Sequence, residues 1–129
     1  MGTSFWEHLD ALLAASEIVI DRATGSTHPR FPEFVYPLDY GYLEGTDGGD
    51  GHGIDVWIGR RGDRALVGVL ATVDLEKHDA EVKLLLGCTD AETEALLAVH
   101  NEGRQAATLV RRPDAGQART EGPPARTRR

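Results

Sequence analysis

Residues 45–53 read GTDGGDGHG, five glycines in nine positions. Glycine loses more backbone freedom on ordering than any other residue, so this run cannot hold a regular element and divides the chain where it stands. Directly after it, IDVWIG restarts a β pattern. Any fold for this chain must therefore set a pliable acidic turn against a rigid strand, with Asp50 on the turn and Asp55 on the strand. Such a backbone can also curl tightly around a small bound species.

The remaining segments are more regular. Ser4 followed by Glu7 reads as a capping box, and Phe5, Leu9, Leu12 and Leu13 share one face of the helix it starts. EIVIDR reads as a strand, ended by Gly25, Ser26, Pro29 and Pro32, whose long loop runs into YPLDYGYLEGT. After IDVWIG, a hairpin through RRGDR is expected to lead to the strand ALVGVLATVD, with AEVKLLLG as a third β segment. Thr89 and Glu92 form a second capping box, opening a helix over DAETEALLAVHNE that Gly103 can close, and a short strand, AATLV, follows. The pattern predicts an α+β domain, mainly β: a small twisted or partly closed β-barrel with an N-terminal helix and a late helix packed outside. We expect this domain over residues 1–112. Residues 113–129, rich in Arg, Pro and Gly and without apolar periodicity, read as a disordered tail.

Composition narrows the function classes. The longest apolar runs fall short of the roughly 18 residues that a membrane-crossing helix needs, so no membrane partner is expected. The single Cys88 has no cysteine partner within the chain and no CxxC spacing, which points to a reducing, cytoplasmic setting. Net charge is −7, but residues 111–129 carry six Arg against Asp114 and Glu121, a local +4 that leaves −11 for the rest. An acidic body argues against nucleic acid and suits a site that gathers divalent cations.

Two acidic groups carry candidate chemistry. Asp50 and Asp55 flank the glycine turn and could share one cation; magnesium in particular takes a few carboxylates and completes its shell with water and phosphate oxygens. An acidic surface turn would have the same spacing, so spacing alone leaves both readings open. A calcium loop of the EF-hand type is excluded: counted from Asp47, the third and fifth positions are Gly49 and Gly51, and the twelfth is Ile58. In the second group Asp79, Glu81 and Lys83 alternate with Ala80, Val82 and Leu84, so on a strand they share a face.

YPLDYGYLEGT followed by DGHGIDVW resembles the pattern of the soluble inorganic pyrophosphatases, a Tyr-Pro-x-x-Tyr-Gly element ahead of a D-G-D-x-x-D-V loop. IVIDRATGSTHPR is similar to the family's acidic strand and basic phosphate ligand, with Asp21 and Arg30 at those positions. GVLATVD resembles the strand that delivers a further metal-binding Asp. The resemblance covers roughly residues 17 to 87. It implies a compact barrel of the OB type and metal-dependent hydrolysis of inorganic diphosphate. It further implies Asp50, Asp55, Asp74 and Asp79 as Mg2+ ligands, and Arg30, Tyr40 and Lys83 as phosphate ligands. His52 and Asp55 would take the catalytic positions. The family commonly forms homo-oligomers, for which Phe5, Trp6 and Leu9 could serve.

The departures from that pattern are specific. His52 stands where the family loop has a carboxylate that orients or deprotonates water; imidazole can act as a base near neutral pH but is a poor magnesium ligand, which points toward Mn2+, Co2+ or Zn2+. Only FPEFV separates Arg30 from Tyr36, where the family has a hairpin with another phosphate-binding Arg, and Pro32 replaces an acidic position. His100 and Asn101 occupy the late helix where the family offers Tyr and Lys, and His100 reads as a packing residue. Beyond Asp74 either Asp79 or Glu81 fits as the next ligand, and a bulge could reconcile their spacing with Lys83.

Overall fold

A computed structural model describes residues 4–113. The expected tail, from residue 114 onward, lies outside the described residues. The elements are α1 (Phe5–Ala14), β1 (Ile18–Arg22), β2 (Asp39–Leu43), β3 (Asp55–Ile58), β4 (Leu66–Asp74), β5 (Asp79–Leu86), α2 (Asp90–Val99) and β6 (Gln105–Arg111).

Both helices begin as their capping boxes predict. Ser4 Oγ accepts from the Glu7 amide at 3.0 Å while Glu7 Oε1 accepts from the Ser4 amide at 3.1 Å, and Thr89 and Glu92 repeat the exchange at 3.1 and 2.9 Å. The packed face of α1 is Trp6, Leu9 and Leu13. Phe5, expected on that face, stays 57% exposed and meets Trp6 edge to face at 5.1 Å.

The six strands form one mixed sheet in the order β1-β2-β3-β5-β4-β6, antiparallel except where β3 runs parallel to β5. Among the described residues no pairing links β1 to β6, so the expected barrel is an open sheet. Two further expectations change. The long loop ends sooner than its sequence suggests, and DYGYL is strand β2, paired on both sides. The hairpin through RRGDR does not form, because β4 pairs with β5 and β6 rather than with β3. The connection instead hooks over the end of β5: Gly59 and Arg61 donate to the carbonyls of Leu86 and Gly87, and Gly87 donates to Ala65. That path delivers β4 to the far side of β5 and satisfies the backbone groups of the crossing.

Each face of the sheet holds apolar residues. Leu43, Val56, Ile58, Leu66, Val69, Leu84 and Leu86 pack under α1 through Leu13. Trp57, Leu70 and Leu85 pack on the opposite face with Leu96 of α2 and with Tyr36 and Leu38 from the loop before β2. The alternation Val56/Trp57/Ile58 divides β3 between the two layers, as a strand covered on both sides requires. Gly41 is needed where β2 crosses β1: a Cβ there would meet the Val19 carbonyl oxygen well inside van der Waals contact.

Candidate functional site

Three strands bring the chemistry to the α2 face of the sheet. In register, Tyr42 lies opposite Asp55, Asp55 opposite Lys83 and Lys83 opposite Leu70. One step away Tyr40 faces Trp57, and along β5 Glu81 and Asp79 follow Lys83 at every second residue, opposite Thr72 and Asp74. Paired and alternate positions share a face, so Asp55, Asp74, Asp79, Glu81 and Lys83 form one polar row that continues the apolar patch around Trp57 and Leu85. No bulge interrupts β5 between Asp79 and Lys83; the irregularity in this pair lies at the other end, between Leu66 and Gly68.

Lys83 is the centre of the row. It is 6% exposed, and its ammonium donates to Tyr40 Oη at 3.0 Å, Asp55 Oδ2 at 2.9 Å and Glu81 Oε1 at 2.9 Å. An ammonium has three protons, and all three are used. Burial alone would push the lysine toward its neutral form, but Tyr40, Asp55 and Glu81 outweigh it and raise its pKa. Burial, with Asp55 beside it, keeps Tyr40 a neutral phenol far above neutral pH. Glu81 is held down at about 2: burial opposes the charge, while the Lys83 hydrogen bond and the charges of Lys83 and Lys77 more than compensate.

The row becomes more accessible toward the β4–β5 turn. Asp79 titrates above the ordinary carboxylate range, through burial first and then through its contact with Glu81. Lys77, on the turn, reaches back to Asp79 at 3.7 Å and Glu81 at 3.9 Å. Asp74 uses Oδ1 to accept from the Glu76 and Lys77 amides at 2.9 and 3.2 Å, fixing the turn. Around this end Asp74, Asp79, His78 and Arg104 line an open notch.

The structure unites Tyr40, Asp55, Glu81 and Lys83 directly, with Asp79 and Asp74 next in the row, and so both carboxylates left open by the register question take part. Other expected residues stand apart. Asp50 accepts from the His52 amide at 3.0 Å within the glycine turn, where both residues are exposed. The turn curls around its own Asp47 carboxylate, which accepts from Gly49 and Gly51, two residues at positive φ. Arg30 lies on the exposed loop before β2, its guanidinium 5.8 Å from the Phe31 ring centre and its amide bonded to His28. Among the described residues Arg30 pairs with none of the row's carboxylates. Asp21 sits at a bulge of β1 and pairs with Arg22 at 3.5 Å.

Several participants were not legible in advance. The Trp57 indole donates to His100 Nε2 at 3.1 Å, and the Tyr40 ring packs on Trp57 at 4.6 Å. His100, just after α2, is 8% exposed and carries its ring proton on Nδ1, toward Gln105 Oε1 at 3.4 Å. Its pKa falls to about 4, from burial first and then from the Lys83 charge. The packing role expected for His100 is what the geometry gives it. The Trp57–His100 bond joins residues 43 apart in sequence and has no local signal. Lys77 did have one, since it precedes Asp79, Glu81 and Lys83 at the same alternate spacing.

The donor chemistry of the row fits a hard divalent cation. Asp55, Asp74, Asp79 and Glu81 offer carboxylate oxygens, the ligands magnesium prefers. Among the described residues no three His, Cys, Asp or Glu side chains are grouped to hold an ion unaided. A cation here would therefore take water and phosphate oxygens for part of its shell. Compared with known proteins, the chain matches no family model and no curated sequence. No helix among the described residues is long and apolar enough to cross a membrane.

Proposed function

We propose that this protein hydrolyses inorganic diphosphate with the help of a divalent cation, in the manner of the soluble inorganic pyrophosphatases that the segments around Tyr40, Asp55 and Asp74 resemble. One observation carries the reading: three neighbouring strands, β2, β3 and β5, set Tyr40, Asp55 and Glu81 within hydrogen-bonding reach of Lys83. A small, twisted OB-like β-structure is the fold that goes with this proposal. A single buried thiol, Cys88, raised by burial to about 12, suits a cytoplasmic setting.

When bound, Mg2+ would neutralise the diphosphate and acidify water, with Mn2+, Co2+ or Zn2+ as alternatives because of His52. Neighbouring carboxylates of the row, drawn from Asp55, Asp74, Asp79 and Glu81, would hold it together with water and phosphate oxygens. The chain's own contribution is positional. Lys83 bridges Asp55 and Glu81 and keeps the buried Glu81 ionised, and Tyr40 presents a neutral hydroxyl beside them. Phosphoryl transfer asks little covalent chemistry of a protein, so prearranged charge of this kind supplies most of what the reaction requires.

A second reading has its own observation. Asp50, His52 and Arg30 stand outside the row, which favours a relative that binds metal or phosphate without turning over. Phosphate release from diphosphate, with and without Mg2+ or Mn2+, separates the two. Metal-dependent release that falls by roughly a hundredfold in Asp55→Asn supports the enzyme. Metal binding without release supports the binder, and calorimetry that detects neither metal nor diphosphate overturns both.

A further inference from the structure

The geometry points to Lys77 as the substrate-binding cation of this site, held until substrate arrives as the exchangeable counter-ion of Asp79 and Glu81. The inference rests on the diphosphatase reading and assigns a role that the resemblance gave to Arg30 and Lys83. Lys83 is badly placed for that role. It is buried, and its three protons already serve Tyr40, Asp55 and Glu81, so a phosphate oxygen could bind it only by breaking one of these bonds. Arg30 lies on another loop.

Lys77 has the opposite properties. Its side chain is 61% exposed, and its ammonium stands 3.7 Å from Asp79 and 3.9 Å from Glu81, beyond the usual length of a charge-assisted hydrogen bond. With the ammonium in solvent and both contacts long, the two pairs are weak and readily exchanged even though Glu81 itself is nearly buried. Its backbone, however, is fixed: the Lys77 amide donates to Asp74, and His78 completes the turn at φ +58°. A mobile head on an anchored stem can move by a few ångströms without reorganising the strand.

The exchange follows from charge. Asp79 and Glu81 can take a divalent cation in place of one ammonium, which frees Lys77 while keeping it beside whatever anion the cation holds. Lys77 therefore competes with metal for the carboxylates and cooperates with metal in holding diphosphate. Removing its charge should move the two affinities in opposite directions, an outcome that a purely structural lysine would not produce.

The test is calorimetry on the wild-type protein, Lys77→Met and Lys77→Arg, first with Mn2+ alone and then with imidodiphosphate, a non-hydrolysable diphosphate, at saturating Mn2+. We expect Lys77→Met to bind Mn2+ roughly threefold to tenfold more tightly and imidodiphosphate weaker by a similar factor, with Lys77→Arg close to wild type in both. Wild type that binds both ligands while Lys77→Met shifts neither, or shifts both in the same direction, overturns the inference and leaves the diphosphatase reading standing. Wild type that binds neither ligand overturns that reading and the inference with it.

Discussion

The indole N–H of Trp57 donates to Nε2 of His100 at 3.1 Å inside the layer that supports Tyr40 and Lys83. The bond needs a neutral imidazole, and burial holds the His100 pKa at about 4, against 6.5 for the ordinary group. Between those values the unfolded chain binds a proton that the folded chain refuses. The stability contributed by neutral His100 is thus complete above about pH 6.5, declines as pH falls, and is exhausted near pH 4, a loss of up to about 3 kcal/mol. Urea midpoints at pH 7, 5.5 and 4.5 should show this slope in the wild type and a flatter one in His100→Gln. Equal slopes would assign the acid sensitivity to other groups.

Lys83→Met should be strongly destabilising at neutral pH, by about 3–5 kcal/mol, because Asp55 and Glu81 lose the cation that holds them together. The loss shrinks in acid. Glu81 now titrates at about 2, so in the wild type its contribution is complete above the ordinary carboxylate range and is lost as pH falls toward 2. Without Lys83 its pKa rises, and protonation relieves the repulsion. The gap between variant and wild type should therefore narrow between pH 7 and pH 4, as urea midpoints at the two values would reveal; a constant gap would argue against the pairing.

His52 lies on the exposed glycine turn, three residues before Asp55, the first residue of β3. On the diphosphatase reading, His52→Asp should raise phosphate release with Mg2+ by roughly tenfold and reduce the advantage of Mn2+, since an oxygen donor replaces a nitrogen donor. Rates measured with each metal give the answer. Unchanged rate and unchanged metal preference would remove His52 from the mechanism.

Gly41→Ala should cost more than about 3 kcal/mol, because the new Cβ would collide with the Val19 carbonyl and force β1 away from β2. Gly45→Ala provides a contrast: its Cβ would meet nothing within 4 Å, and the penalty there comes from φ +82° alone. Thermal unfolding of both variants would distinguish a close-approach glycine from a turn glycine. Equal, small losses would show that β2 can shift to admit the methyl group.

Local signals were read well where the cause is local. The capping boxes at Ser4 and Thr89, the alternation in AEVKLLLG and the turn at GTDGGDGHG all depend on neighbours within a few residues, and each appears where its pattern predicts. DYGYL carries no clear alternation in its Gly and two Tyr, and its identity as a strand comes from pairing with β1 and β3. The hairpin at RRGDR was misread because a turn-like sequence states that the chain bends, not which strand it next meets.

The sequence by itself determined the part of the polar row that lies on β5: alternation puts Asp79, Glu81 and Lys83 on one face, whatever lies beside them. Only the tertiary structure decided what that row is. The parallel pairing of β3 with β5 brings Asp55 alongside Lys83, and β2 adds Tyr40; with Glu81 they consume every proton of the ammonium. The same topology leaves Asp50 and His52 on an exposed turn and brings Lys77 to the carboxylates. Spacing along one strand fixes which side chains can point together, but the charge each one can spare for a ligand depends on neighbours that are distant in the chain and adjacent only in the folded sheet.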